Sequence, residues 1–80
     1  MKPRTLPLGD MNVAGANITR IRAEKGIKQK DLLARLQAGG MDITASSLSK
    51  IEGQTRMVTD KDLLLIAAAL GVRPEDLLSV

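Results

Sequence analysis

The chain has 80 residues and a formal net charge of +3, with no Cys, His, Phe, Tyr or Trp. That length makes one small domain with an aliphatic core, and without thiols or imidazoles there is no disulfide, zinc site, cysteine nucleophile or histidine triad. No rings are present on which single-stranded nucleic acid could stack. The longest apolar run, residues 63–70, is too short to span a bilayer, and the first residues hold no signal-peptide run, so a cytoplasmic protein without membrane association is expected.

Residues 1–13 contain Pro3, Pro7 and Gly9 and show no helical period, which predicts a flexible N-terminal arm ahead of a domain over 14–80. Lys2 and Arg4 lie on that arm. A first helix is predicted over 14–25, with Ala14, Ile18 and Ile21 facing inward, Gly26 ending it and Ile27 closing over its end. A second follows over 29–37, with Leu32, Leu33 and Leu36 on one face. Its first backbone N–H groups, near Lys28 and Gln29, suit an anion. Residues 38–40 (Ala-Gly-Gly) break the pattern.

The stretch I-T-A-S-S-L-S-K-I-E-G-Q-T-R, residues 43–56, is the most informative. A helix capped by Thr44 puts Leu48 and Ile51 on one inner face. Ala45, Ser46, Ser49 and Lys50 then point outward, a small, polar and cationic face that suits a DNA major groove. Gly53 is expected to end this helix, ahead of a loop over 54–58. Thr59 caps a fourth helix, with Asp60 and Asp62 as partners of the helix dipole rather than metal ligands. Residues 63–70 are apolar on nearly every side, so this helix is expected to be the most buried. Gly71 ends it, and Pro74 starts a short fifth helix over 74–78. Its Leu77 and Leu78 are expected to close the core, or one of them to serve a dimer contact.

Charge is spread unevenly. Residues 17–56 carry eight Lys or Arg against four acids, whereas residues 57–80 carry two against four. Basic charge therefore gathers around the 43–56 stretch, as binding to DNA requires.

The run I-T-R-I-R-A-E-K-G-I-K-Q-K-D-L, then L-S-K-I-E, then L-L-L-I-A-A-A-L-G-V-R-P-E-D-L-L, resembles the lambda-repressor/Cro-like helix-turn-helix family, also called the xenobiotic-response-element type. The resemblance implies an all-α, compact five-helix DNA-binding domain. It also implies that Ala45, Ser46 and Lys50 reach base edges, and that Gln29, Arg56, Lys28, and Ser49 or Thr44, meet phosphates. Arg22 and Glu52 resemble a family ion pair between the first and third helices. Three features depart from the pattern: the connection between Leu36 and Leu48 is longer, Leu33 replaces a small residue, and E-G-Q-T-R shifts the glycine by one place. The longer connection leaves two possibilities, an extra turn on the second helix or a wider loop at Gly39-Gly40.

The expected function is sequence-specific binding of double-stranded DNA by a bacterial or phage transcriptional regulator, a repressor acting as a homodimer on a palindromic operator. The alternative is a protein-interaction module, such as an antitoxin or a regulator's partner. No carboxylates or lysines stand in a catalytic arrangement, so no enzyme and no cofactor are expected.

Overall fold

Local capping chemistry decides where the helices of this chain start and stop. The computed structural model describes residues 11–79 and contains α1 (Gly15–Glu24), α2 (Gln29–Ala38), α3 (Ala45–Glu52), α4 (Asp60–Leu70) and α5 (Pro74–Leu78). Residues 1–10 of the predicted arm, with Lys2 and Arg4, and Val80 lie outside the described residues. α1 is one residue shorter at each end than its predicted span, and α2 one residue longer. Thr44 caps α3 by accepting from Ser47 N at 3.1 Å. Thr59 and Asp62 form a reciprocal capping box at α4, and Pro74 occupies the first turn of α5.

The fold is a compact, all-helical domain around one aliphatic core. Ile18, Leu32, Leu36, Leu48, Ile51, Ile66, Leu70 and Leu77 are its fully buried large side chains. α1 packs on α3 and α5, and α4 packs on α2 and α5, so α1 and α2 together form the bed for α3. Two side chains fasten the distant end. Asn17 Nδ2 donates to the carbonyls of Leu77 (2.9 Å) and Ser79 (2.7 Å), and Arg35 Nη1 donates to the Ala69 carbonyl (3.0 Å) at the end of α4. Among the described residues, no helix is long and apolar enough to cross a membrane.

Two expectations gain detail. α4 is not buried all round: Ile66 is fully enclosed, whereas Leu64 is 57% exposed and Ala68 is also exposed. A uniform run of Leu, Ile and Ala carries no periodicity, so its inner face is chosen by packing against α2 and α5 alone. Gly53 ends α3 as expected, with an ordinary φ of −81°, and the left-handed position after it falls on Gln54, at φ 64°. Gln54 N donates to Ile51 O (3.0 Å) and Thr55 N to Lys50 O (2.9 Å), the paired bonds that close a helix through a left-handed residue.

The long connection before α3 takes the form of a loop, not of an extra turn. α2 stops at Gly39 and Gly40, with Gly40 N bonded to Gln37 O (3.1 Å) and Met41 N to Leu36 O (2.9 Å). Ile43 is buried, and its carbonyl accepts from Gln37 Nε2 at 3.0 Å, so the connection is pinned on both sides. Gly40 has φ +99° with open space around its Cα. Gly40→Ala is therefore expected to lose about 1–2 kcal/mol through backbone strain alone, read as a lower urea midpoint at an unchanged m-value.

Candidate nucleic-acid interface

α3 presents one face to the core and another to solvent, and its sequence explains both. Leu48 and Ile51 are buried, three residues apart, while Ala45, Ser46, Ser49 and Lys50 are exposed. The helix has eight residues, about 12 Å in length. Its one acid, Glu52, is turned away from that outer face.

Glu52 is held by a fork. Arg22 Nε donates to Oε2 at 3.2 Å and Arg22 Nη2 to Oε1 at 3.0 Å, while the third nitrogen, Nη1, donates to the Ile27 carbonyl at 3.0 Å. Thr19 Oγ1 adds a bond to Glu52 Oε1 at 3.1 Å. The side chains of Arg22 and Glu52 are 18% and 6% exposed, so the pair is largely out of water. The two parallel bonds fix the last residue of α3 against α1. They also cancel the one negative charge in α3, leaving Lys50 as the charge of the exposed face.

The start of α2 lies beside α3. Ser49 Oγ donates to Gln29 Oε1 at 3.3 Å, which orients the Gln29 amide and leaves its Nε2 as the outward donor. Among the described residues no side chain caps α2 at Lys28, which leaves the first N–H groups of α2 open to an anion. Thr44, by contrast, is engaged: its hydroxyl accepts from Ser47 N and donates to Ser47 Oγ, both at 3.1 Å. Arg56 is exposed in the loop after α3. Leu33 is half-buried and lines, with Gln29, Lys30, Ala45 and Leu48, a small cleft between α2 and α3. The bulkier residue is thus seated beside the first turn of α3.

A family model described as a Cro/C1-type HTH DNA-binding domain matches residues 17–80. The chain belongs to this family. None of the curated proteins and no solved structure matches it. Membership of the Cro/C1-type family makes this a sequence-specific DNA-binding domain of the transcription-regulator kind, with double-stranded DNA as its partner.

Three residues that shape this Cro/C1-type face escaped the sequence reading. Asn12 bonds to both ends of the α3–loop junction, Gly15 gives α1 its close approach to α3, and Thr19 completes the shell of Glu52. Asn12 carried a usable signal, since an Asn side chain in a turn ahead of a helix bonds nearby main-chain N–H groups. Gly15 and Thr19 act through contacts with residues more than 30 positions away, for which a local pattern gives no sign.

Proposed function

We propose that the domain is a bacterial or phage transcriptional repressor, cytoplasmic, acting as a homodimer on a palindromic operator with α3 in the major groove. The observation that supports this best is the outer face of α3: exposed, built of small residues, carrying Lys50, and free of acid because Glu52 is turned inward and paired with Arg22. A groove lined with base-edge acceptors and flanked by phosphates favours such a surface.

In this reading Lys50 donates to guanine O6 or N7, Ser46 bonds a base edge and Ala45 packs on a thymine methyl. Lys28, Gln29 Nε2 and Arg56 bind phosphates on either side, with the open N-terminus of α2 adding its N–H groups. Thr44 and Ser49 are weaker phosphate donors than their exposure suggests, because each hydroxyl proton is already given to Ser47 and Gln29 respectively. Two half-sites would lie about one helical turn, ~34 Å, apart.

Enrichment from a randomised double-stranded DNA library at two salt concentrations tests the proposal. The expected result is a palindrome bound with an affinity that falls steeply as salt rises; salt-sensitive binding without any enriched sequence would defeat the assignment of α3. Lys50→Ala should then lose about 1–3 kcal/mol at the recovered site and relax the preference at one base pair. An equal loss on every sequence would make Lys50 a phosphate contact.

A second reading, a protein-interaction module such as an antitoxin, is favoured by one surface. Met11, Val13 and Leu78 are 45%, 49% and 46% exposed and line a groove with Val58 and Leu63. Co-purification with a tight partner, together with no salt-sensitive DNA binding, is the outcome that selects it.

A further inference from the structure

A knot of side-chain hydrogen bonds joins the chain ahead of α1 to the end of α3. Asn12 Oδ1 accepts from Gly15 N at 2.7 Å. Its Nδ2 donates to two carbonyls, those of Ile51 at 3.1 Å and Arg56 at 2.7 Å. The Asn12 main-chain carbonyl in turn accepts from Gln54 Nε2 at 3.2 Å. One amide therefore grips the chain on both sides of the left-handed Gln54.

The two gripped carbonyls differ in what else holds them. Ile51 O also accepts from Gln54 N within the helix stop. Arg56 O has Asn12 as its hydrogen-bond partner among the described residues, and residues 56–58 make no backbone–backbone hydrogen bond among those residues. The loop between the stop at Thr55 and the cap at Thr59 is thus tied to the domain by Asn12 at the residue that carries the loop's guanidinium. An Arg on an untethered loop loses more conformational freedom on meeting a phosphate than one whose main chain is already held.

We infer that Asn12 is a positioning residue for DNA binding, acting through Arg56 by holding its main chain where the guanidinium meets a phosphate. This rests on the reading of Arg56 as a phosphate contact. Asn12 itself touches no DNA. Its two functions are separable, because the turn into α1 uses Oδ1 and the positioning uses Nδ2.

The test is a double-mutant cycle on the full chain, with affinity for the library-selected duplex measured across a salt series. Asn12→Ser is the main variant: its hydroxyl oxygen can still accept from Gly15 N, but it cannot reach two carbonyls as the amide does. Asn12→Ala removes both functions, and thermal melts of each variant establish that it is folded. Arg56→Ala alone should lower the slope of log affinity against log salt by about 0.9. Asn12→Ser should weaken binding about fivefold to tenfold in the wild-type background, and hardly at all in the Arg56→Ala background. Equal losses in both backgrounds, or no loss with a folded Asn12→Ser, would overturn the inference. So would an Arg56→Ala variant that binds like wild type. If the wild-type chain shows no salt-sensitive DNA binding, the parent reading falls first and the inference with it.

Discussion

Arg22→Ala is expected to destabilise the domain by about 3–5 kcal/mol, and Glu52→Ala by less. The asymmetry follows from what each deletion leaves behind. Without Arg22, the Glu52 carboxylate, 6% exposed, keeps Thr19 Oγ1 as its one partner among the described residues, and the Ile27 carbonyl loses its donor. Without Glu52, the Arg22 guanidinium retains its bond to Ile27 O and, at 18% exposure, part of its contact with water. A chain of this size has a total stability of about 4–12 kcal/mol, so Arg22→Ala approaches global unfolding. Replacing both partners by apolar residues, as in Arg22→Met with Glu52→Leu, should recover much of the loss because no buried charge is stranded. Urea titrations of the four chains measure this. Losses under about 1 kcal/mol for both single variants would show that the pair behaves as an exposed ion pair.

The parts of the fold that were legible in the sequence are those written in local chemistry. Thr44 and Thr59 cap helices because a hydroxyl reaches an N–H three residues on, and Gly26 and Gly71 end them because they take a positive φ (69° and 73°). Pairs three or four apart, Ile18 with Ile21, Leu32 with Leu36 and Leu48 with Ile51, marked the buried faces. The face of α4 was not legible, since Leu64 and Ile66 look equally apolar in sequence and only their neighbours in space separate them. Gln54 was hidden for a related reason. The adjacent Gly53 is the better left-handed residue, but Gln54 occupies that position with its side chain buried beside Gly15 and bonded to Asn12. The outer residues of α3 and the Arg22–Glu52 fork follow from spacing and resemblance. The knot at Asn12 links residues about 40 apart and needed the fold.

Gly15→Ala tests how closely α1 must approach α3, and here two physical effects oppose each other. Alanine is the better helix former by about 1 kcal/mol, so on propensity alone the substitution in the first turn of α1 should stabilise. The packing predicts the reverse. A Cβ on Gly15 would fall on the Ile51 carbonyl oxygen, 2.7 Å from Gln54 Cγ and 2.9 Å from the Glu52 carbonyl oxygen. Two of those three neighbours are main-chain atoms of the last turn of α3, and the third belongs to a side chain that is 7% exposed. None can swing aside as the tip of a surface side chain would. The ends of α1 and α3 must therefore separate, which lengthens the bonds from Asn12 Nδ2 to Ile51 O and Arg56 O and disturbs the α3 end that Arg22 holds. We expect a net loss of about 3 kcal/mol, together with weaker DNA binding in the fraction that stays folded. Ala16→Gly, the opposite exchange at the exposed neighbour, should lose no more than about 1 kcal/mol. Denaturant midpoints of the two variants decide between the effects: a midpoint for Gly15→Ala at or above wild type would mean that α1 has room to spare, and that the close approach does not set the position of α3.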